Sequence, residues 1–502
     1  MHKLIPMFER FKPFLLTGLF IFLSCCGIYL GHHALGMTPA LQAYSLAALV
    51  VLAYLVFCSA IRQAHQARKP DLLPALTSGH AHPAIVVVYA SQTGYAEQLA
   101  RQTAQSLHDA DMSVQLMSIK DLTTERLRQM SHTLSRLLFI VSTTGEGDAP
   151  DQAAKFTRHA MSQQLDLSGL NYGILALGDR NYQHYCAFGH QLDQWLRQHH
   201  ASGLFDLVEV DNGDEGALRH WQHHLGTLSG HTDMADWSQP SYERWTLSTR
   251  QLLNPGSVGG AAFHIVLTPP ADSEPQWRAG DIVEIGPEFP PDHIRTSSDP
   301  VTLPHREYSI ASIPTDGALE LLVRQVKQAN GKLGIGSGWL TAYARVGSDI
   351  AVRIRENRSF HPPATGQPMI LIGNGTGLAG LRAHLKQRAA DGHQSNWLIF
   401  GERNEHQDFF YREEIRTWQN QGLLERLDLA FSRDQEQRIY VQDKLLDNAA
   451  TLLKWVQDGA AIYVCGSLAG MADGVDRALR QIIGDEVLEQ LLDDGRYRRD
   501  VY

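Results

Sequence analysis

The feature that most constrains this chain is an apolar strand that runs directly into a small-residue loop and then into a helix. The run AIVVVYA (84–90) is short and β-branched, as in a buried parallel strand. The stretch that follows, SQTGYAEQLARQTAQSL, has hydroxyls and a glycine before its helical periodicity begins. Backbone N–H groups, the hydroxyls of Ser91 and Thr93, and the helix dipole can together face a phosphate. Taken alone, the loop also fits an ordinary βα turn with a capping serine, and it lacks the lysine of a nucleotide-triphosphate loop.

The same unit recurs further along the chain. LLFIVSTTGEGDAPD (137–151) and YGILALGDRNYQHYCAFG (172–189) are apolar strands that end in small-residue loops, and DLVEVD (206–211) is a further strand. Repeated strand–loop–helix units predict a doubly wound α/β sheet with ligand loops at the carboxyl ends of its strands. The second and third loops can hold a flat ring by its edge, with Tyr182 stacked on the ring face.

A different pattern begins after residue 240. PQWRAGDIVEIGP, followed by HREYSIAS (305–312), predicts a small antiparallel barrel. On its predicted strand, Arg306 and Ser309 can reach a pyrophosphate or a ring nitrogen while Tyr308 stacks. The glycine-rich turn GKLGIGSGWL (331–340) supports this interpretation, because Ser337 can cap a helix that points at a pyrophosphate.

The last part of the chain returns to alternating strands and helices. PMILIGNGTGLAGLRAHL (368–385) predicts a strand, a glycine loop and a helix suited to a dinucleotide pyrophosphate, although its spacing is looser than the full dinucleotide pattern. LIFGERN, LDLAFSRDQEQRIYVQ and AAIYVCGSLAGM continue the alternation. A carboxylate usually holds the ribose of NADH, whereas Ser, Arg and Tyr side chains suit the 2′-phosphate of NADPH. NADPH is therefore favoured over NADH, and a basic surface turn is the alternative interpretation. The cluster that favours NADPH consists of Ser432, Arg433, Arg438, Tyr440 and Gln442.

Composition narrows the function classes. The 502 residues are enough for about two to four domains, and a hydrophobic content of 43% with 20% charged residues describes a globular protein. A net charge of −10 argues against a nucleic-acid partner, which needs a basic face. The five cysteines form no CxxC pair, which fits a reducing compartment. The 24 histidines show no ligand spacing, so no metal site is expected.

Two apolar runs near the start predict a membrane anchor. FLLTGLFIFLSCCGIYLG (14–31) and LQAYSLAALVVLAYLVFCSAI (41–61) are uncharged, and each can cross a hydrocarbon core of ~30 Å. Lys and Arg flank the pair but not its connector, which predicts a two-helix hairpin (1–61) at the inner membrane, with a linker (62–83) leading to cytoplasmic α/β domains. A signal peptide and a lipoprotein-type Cys25 are the alternatives, and His32 and His33 fit a polar turn or haem ligands.

Residues 84–226 resemble the FMN domain of the diflavin reductase family. SQTGYAE resembles the family's phosphate loop, and STTGEGD and GDRNYQHYCAFG resemble its two isoalloxazine loops. Microsomal members have a second aromatic side chain where this chain has Thr144. Since the sulfite reductase branch of the family also lacks it, the resemblance implies a retained FMN with a somewhat different potential. The implied FMN residues are Ser91, Gln92, Thr93, Gly94, Tyr95 and Ala96 at the phosphate, Ser142, Thr143, Thr144, Gly145, Glu146 and Gly147 at the ring edge, and Gly178, Asp179, Asn181, Tyr182 and Asp211 in the later loops.

The remainder resembles the reductase half of the same family, of the ferredoxin-NADP reductase type, with an FAD-binding barrel (240–362) and an NADP(H)-binding domain (367–502). The resemblance implies hydride-transfer roles for Ser309, Cys465 and Asp500, and an FAD-shielding role for Tyr502. The family's helical connecting domain is expected to be reduced or missing, because little chain lies between the first barrel strand and the R-x-Y-S motif. Further implied cofactor-binding residues are Arg306, Tyr308, Gly334, Gly336 and Ser337 for FAD, and Gly373, Gly375, Thr376, Gly377 and Arg403 for NADPH.

The resemblance implies an NADPH-dependent enzyme in which electrons pass from NADPH to FAD, then to FMN and then to an acceptor. The expected partner is a redox acceptor, either a haemoprotein or an iron complex such as a ferric siderophore. A flavin-binding redox sensor is a third hypothesis, and the complete nicotinamide site argues against it.

Overall fold

The computed structural model describes residues 85–145, 147–180, 182–231, 237, 241–290, 303–328, 330–363 and 366–501. The predicted hairpin and linker (1–83) lie outside these ranges, as do Glu146, Asn181 and Tyr502. In the part of the chain that is described, no helix has both the length and the apolarity needed to cross a bilayer. The predicted inner-membrane location is corrected on this finding, because none of the described helices supplies a membrane span.

The first sheet is parallel and doubly wound, as predicted. It consists of β1 (Ile85–Ala90), β2 (Val114–Ser118), β3 (Arg136–Ser142), β4 (Asn171–Gly178), β5 (Ser202–Gly203) and β6 (Val208–Asp211). The strand order is β2-β1-β3-β4, with β5 and β6 both paired to β4. This is the flavodoxin-type order, in which the loops after β1, β3 and β4 gather at one sheet edge. Its helices are α1 (Tyr95–Asp109), α2 (Thr124–His132), α3 (Ala187–Gln198) and α4 (Glu215–Ser229).

The central strands of this sheet are apolar along their whole length because both faces are covered. Val86 and Val88 belong to one core, and Ile85 and Val87 belong to the core on the opposite face. Trp221 of α4 is buried against α1 and donates its indole N–H to Thr103 over 3.0 Å. This packing makes the sheet a rigid base for the loops at its carboxyl edge.

The second sheet is antiparallel. It consists of β7 (Glu243–Leu252), β8 (Ala262–Thr268), β9 (Ile282–Gly286), β10 (Arg306–Ser309), β11 (Leu319–Arg324) and β12 (Asp349–Arg355), in the order β10-β9-β12-β7-β8-β11. Trp245, Ile265 and Val352 from three of these strands meet in one core. The short helix α5 (Ile335–Gly338) follows β11. Of the residues between β7 and β10, those that are described form strands and loops without a helix.

The third sheet is parallel and again has helices around it. Its strands are β13 (Met369–Asn374), β14 (Asn396–Glu402), β15 (Arg426–Phe431), β16 (Ala461–Gly466) and β17 (Tyr497–Val501), in the order β15-β14-β13-β16-β17. The order reverses between β13 and β16, and such a switch point opens a crevice at the carboxyl ends of the strands. Its helices are α6 (Leu378–Ala390), α7 (Glu405–Asp408), α8 (Arg412–Asn420), α9 (Val441–Asp447), α10 (Ala449–Gln457), α11 (Asp473–Ile483) and α12 (Asp485–Asp493).

Candidate active site

Three side chains that were predicted to serve hydride transfer meet in one cluster. Strand pairing places Cys465 of β16 beside Asp500 of β17. Ser309, the last residue of β10, donates its Oγ–H to Oδ2 of Asp500 over 2.7 Å, and Sγ of Cys465 lies 3.7 Å from the same oxygen. The antiparallel sheet and the third sheet therefore direct two donors at one carboxylate.

The environment of this cluster sets its protonation. Asp500 is 5% exposed and Cys465 is fully buried. Burial raises the pKa of Asp500, while the hydrogen bonds from Ser309 and Cys465 act to lower it. Burial, reinforced by the nearby Asp500 carboxylate, raises the pKa of Cys465 well above that of an ordinary thiol. Cys465 is therefore a protonated donor rather than a thiolate nucleophile.

The glycine loop after β13 packs directly against the cluster of Ser309, Cys465 and Asp500. A Cβ on Gly377 would lie 2.0 Å from the carbonyl oxygen of Cys465, and one on Gly373 would lie 2.6 Å from it. Because side chains here would push α6 away from Cys465, the glycines allow a close approach of helix and strand. Gly375, with a φ of 56°, and Thr376 form the half-exposed tip of this loop, where a dinucleotide pyrophosphate is expected.

The R-x-Y-S strand and the glycine-rich turn lie together. A Cβ on Gly336 would lie 2.7 Å from Cγ of Arg306 and 2.7 Å from Oη of Tyr308. One predicted detail is wrong, because Ser337 does not cap a helix. Gly334 precedes α5 as its N-cap residue without a side-chain hydrogen bond, and Oγ of Ser337 accepts from the backbone N–H of Val326 over 3.1 Å.

The loop after β1 presents a buried hydroxyl that has no hydrogen-bond partner in the described part of the protein. Ser91 is 1% exposed, and its Oγ makes no hydrogen bond among the described residues. Gly94, with a φ of 85°, turns the chain into α1, and the buried Ala96 follows in its first turn. The carbonyl of Thr93 accepts from the Arg355 guanidinium, which lies 5.6 Å from the centre of the Tyr95 ring.

The loop after β3 is a closed turn. The N–H of Thr144 donates to the carbonyl of Asp148 over 2.8 Å, and Gly145 and Gly147 adopt positive φ values of 51° and 118° inside the turn. The Thr144 hydroxyl is buried and makes no hydrogen bond within the described part of the chain. A second buried hydroxyl that none of the described residues binds therefore lies in the loop predicted to hold the ring edge.

Neighbouring segments hold this turn in place. Oγ of Ser142 donates to the carbonyl of Ala90 over 3.2 Å, which joins the ends of β3 and β1. Oγ1 of Thr143 accepts from the N–H of Phe188 in α3 over 3.3 Å. These two hydroxyls therefore have structural partners, in contrast to that of Thr144.

The loop after β4 presents the predicted stacking aromatic. Tyr182 is 41% exposed, and its N–H donates to the carbonyl of Asp179 over 3.1 Å. Asp211, at the end of β6, accepts from the N–H of Arg180 over 3.1 Å and so fixes the start of this loop. A Cβ on Gly178 would lie 2.9 Å from the nitrogen of Cys186, so the glycine permits close packing under the loop.

The residues proposed for the 2′-phosphate gather beyond β14 and β15. The N–H of Arg433 donates to the carbonyl of Arg403 over 2.8 Å, which brings the ends of these two strands together beside Ser432. The side chains of Arg433, Arg438 and Tyr440 are exposed, whereas Ser432 is buried. Gln442 lies two residues beyond Tyr440, and its Oε1 is buried without a hydrogen-bond partner among the described residues.

Sequence motifs missed the residues that join the first sheet to the rest of the site. The carboxylate of Asp151 pairs with the guanidinium of Arg499, the residue before Asp500. Arg355 and Ser359, both near the end of β12, donate to the carbonyls of Thr93 and Gln92 respectively. No local pattern could reveal these contacts, because the partners are far apart along the chain.

Comparison with known proteins identifies two of the domains and a group of relatives. Residues 87–221 match the family model of flavodoxin, and residues 371–477 match that of the oxidoreductase NAD-binding domain. A sulfite reductase [NADPH] flavoprotein alpha-component of Vibrio cholerae is 26% identical, with 88% of this chain and 91% of the relative covered. The corresponding protein of Klebsiella pneumoniae is 28% identical, with 84% of this chain and 90% of the relative covered.

A flavodoxin domain followed by an antiparallel sheet and an NAD-binding domain is the domain arrangement of a flavoprotein reductase. Within that class the chain is similar to the alpha-components of NADPH-dependent sulfite reductases over most of its length. The prediction of FMN for the flavodoxin domain and of FAD and NADPH for the reductase part is confirmed at the level of these domains.

The residues present fit these cofactors. Ser91 and Thr144 have buried hydroxyls without a hydrogen-bond partner among the described residues, and a bound FMN can supply the missing partners. Gly336 leaves room that a Cβ would fill beside Arg306 and Tyr308. The buried Oε1 of Gln442 is a further polar atom without a partner in the described chain, close to the proposed 2′-phosphate cluster.

Proposed function

We propose that the protein is an NADPH-dependent diflavin reductase that delivers electrons to a redox acceptor protein. The observation that carries this proposal is the convergence of Ser309, Cys465 and Asp500 where the antiparallel sheet meets the NAD-binding domain. When bound, NADPH supplies a hydride, and the two flavins convert the electron pair into single electrons for the acceptor. The protein's own side chains position the cofactors and supply charge next to the reacting rings.

Asp500 balances the positive charge that develops on the nicotinamide ring as the hydride leaves. A buried carboxylate does this effectively, because little water screens its charge and its orientation is set in advance. The hydroxyl of Ser309 and the thiol of Cys465 hold the carboxylate from two directions. Cys465 stays protonated because its pKa is raised by burial and by Asp500.

In this proposal, each of the three cofactors is bound by a different region of the chain. The region 84–226 holds FMN, with Ser91 and Thr144 as hydroxyl partners and Tyr182 stacked on the ring. The region 240–362 holds FAD through Arg306 and Tyr308, and the region 367–502 holds NADPH. This division is supported by the two hydroxyls that no described residue binds, by the exposed Tyr182 and by the close approach of Gly336 to Arg306.

Preference for NADPH rests on the cluster around Ser432 and Arg433. No Asp or Glu stands at these two positions, whereas a carboxylate is the usual partner of the NADH ribose. Arg433 and Arg438 are exposed cations that can contact a phosphate, with Arg403 on the neighbouring strand end. For Tyr502, which lies outside the described residues, the proposal keeps the FAD-shielding role that the family resemblance implies.

A haemoprotein is the acceptor we favour. The relatives are named as alpha-components of sulfite reductase, and such a name implies a second component that receives the electrons. The test is NADPH-dependent reduction of a sulfite reductase haemoprotein, compared with reduction of ferricyanide. The proposal expects the protein to reduce both. Ferricyanide reduction without haem reduction would exclude this acceptor, and absence of both would contradict reductase activity altogether.

A further inference from the structure

The strand that carries Asp500 is an edge strand of the third sheet. Among the described strands, β17 pairs with β16 alone, and its last described residue is Val501. The free edge of such a strand leaves backbone N–H and C=O groups that other parts of the protein can bind. The placement of the Asp500 carboxylate therefore depends on what contacts the outer side of β17.

Residues of the flavodoxin domain contact that outer side. Nε2 of Gln92, in the loop after β1, donates to the carbonyl of Arg499 over 2.7 Å. The same amide is held by Asp151, whose N–H donates to Oε1 of Gln92 over 2.9 Å and whose carboxylate accepts from Nε2 over 3.2 Å. Gln92 thus links Asp151, in the second flavodoxin loop (the loop after β3), to the backbone beside Asp500.

Asp151 also binds the side chain of Arg499 directly. Nε of Arg499 donates to both carboxylate oxygens of Asp151, at 3.0 Å each, and Nη2 donates to one of them. Both side chains are largely shielded, with 26% of Arg499 and 16% of Asp151 exposed. A bidentate arginine–carboxylate pair restricts orientation as well as distance. Backbone and side chain of Arg499 are therefore both fixed by the flavodoxin domain.

The contact between the domains does not depend on this pair alone. Ser359 donates to the carbonyl of Gln92, and a Cβ on Gly145 would lie 1.7 Å from Cδ2 of Leu468. Lys155 pairs with Asp493 over 3.2 Å in a more exposed position. Loss of the Asp151 carboxylate therefore leaves other contacts between the domains, and its effect on Asp500 can be measured separately.

We propose that Asp151 is a positioning residue for hydride transfer, which acts across the domain boundary by holding Arg499 and thereby the Asp500 carboxylate. The proposal rests on the proposed function, since it assumes that NADPH reduces a flavin beside Asp500. In this proposal, the second flavodoxin loop has two roles. It contacts FMN, and through Asp151 it positions the Asp500 carboxylate in the neighbouring domain.

The test is anaerobic stopped-flow reduction of the bound flavin by NADPH and by NADPH deuterated at the transferred position. In Asp151→Asn we expect the reduction rate to fall about tenfold, since misplacement of a catalytic group by a fraction of an ångström has effects of this order. The KM for NADPH should stay unchanged and the deuterium isotope effect should rise. Asp151→Glu, which can still reach Arg499 as a carboxylate, should recover most of the rate.

Lys155→Gln is the matched control, because it removes an ion pair between the same domains without touching β17. Its flavin content, melting temperature and reduction rate should equal those of the wild type. An unchanged rate in Asp151→Asn, or an equal loss in Lys155→Gln, would overturn the positioning role. If NADPH failed to reduce the flavin of the wild-type protein, the result would instead count against the proposed function. Failure of the positioning role and failure of the proposed function are therefore distinguishable.

Discussion

Ser309 donates a 2.7 Å hydrogen bond to Asp500, across 191 residues of chain, and thereby joins the antiparallel sheet to the last strand of the NAD-binding domain. In the proposed function, this bond joins the hydroxyl that faces the flavin to the carboxylate that faces the nicotinamide. Hydride transfer needs the donor and acceptor rings to meet within a short distance, and a hydrogen bond between the two sheets helps to hold their binding regions at that distance.

The pH dependence of flavin reduction should report Asp500. Burial raises the pKa of Asp500 above the ordinary aspartate value of 3.8. Since the ionised form balances the charge on the nicotinamide, the rate should fall as the pH drops through the raised pKa, at a higher pH than for an exposed aspartate. Asp500→Asn should be slower than the wild type above this pKa, approach the wild-type rate below it, and lack the acid limb. The measurement is the pH profile of anaerobic flavin reduction, and an acid limb that persists in Asp500→Asn would assign it to another group.

The same raised pKa predicts an effect on stability. A carboxyl group whose pKa is higher in the folded state contributes stability below its unfolded pKa, and that contribution is lost as the pH rises through the folded value. Asp500→Asn should therefore gain melting temperature relative to the wild type as the pH is raised. Thermal unfolding followed by circular dichroism between pH 4 and pH 8, which span roughly the window of such shifts, measures this difference. A constant difference across that range would mean that Asp500 ionises without cost.

Tyr182→Ala should weaken FMN binding and spare the FAD-level reaction. Loss of one aromatic stacking partner costs roughly 1–3 kcal/mol, which corresponds to about a tenfold or greater loss of FMN affinity. Leu252→Ala is a suitable control, because Leu252 on the antiparallel sheet is as exposed as Tyr182, at 41%. Flavin content by chromatography and NADPH-dependent ferricyanide reduction provide the two readouts. If Tyr182→Ala abolished both, the division into separate FMN and reductase regions would be wrong.

Replacement of Ser432 and Arg433 by Asp and Ala should shift the coenzyme preference toward NADH. The change removes a cation that can bind the 2′-phosphate and introduces a carboxylate that suits the ribose hydroxyl. The ratio of kcat/KM for the two coenzymes should change by about tenfold or more, since each charge-assisted contact contributes about 1.5–3 kcal/mol. Arg416→Ala on α8 removes an exposed cation outside the cluster and should leave the ratio unchanged. An unaltered preference in the double variant would place the 2′-phosphate elsewhere.

Glu284 should be important for stability. It is 1% exposed and binds the buried Arg355 through Nε over 2.8 Å and Arg353 through Nη1 over 2.9 Å. Glu284→Gln should destabilise the fold by about 3 kcal/mol, the low end for breaking a buried pair, because Arg355 retains Glu307. Glu288→Gln is the control, since its pair with Arg244 is more than half exposed. Urea unfolding compares them, and equal midpoints would show that the buried pair contributes no net stability.

Much of the fold could be predicted from local patterns. Strands β1, β3, β4, β13 and β16 are continuous apolar runs that end in small residues, and buried parallel strands require this composition. Strand β2, VQLMS, was not predicted, because an edge strand with half-buried residues lacks such a run. The antiparallel sheet followed from two short motifs, and the structure brings them into contact at Gly336 and Tyr308.

The features that were missed depend on tertiary contacts. Ser337 has the residue type of a helix cap, but the approach of Val326 provides its hydroxyl with a different partner. The ion pair of Asp151 and Arg499 joins residues 348 positions apart, and neither residue belongs to a pattern that announces the other. The membrane prediction rested on apolar runs that lie outside the described residues, and no described helix is long and apolar enough to replace them.

The most direct test of a diflavin reductase is an anaerobic titration of the purified protein with NADPH, followed by absorbance and by release and quantification of the flavins. We expect FMN and FAD in near-equal amounts and reduction of both by NADPH, with NADH a much poorer donor. Protein that contains only one of the two flavins, or whose flavins NADPH does not reduce, would contradict the proposed path of electrons from NADPH through FAD and FMN to an acceptor.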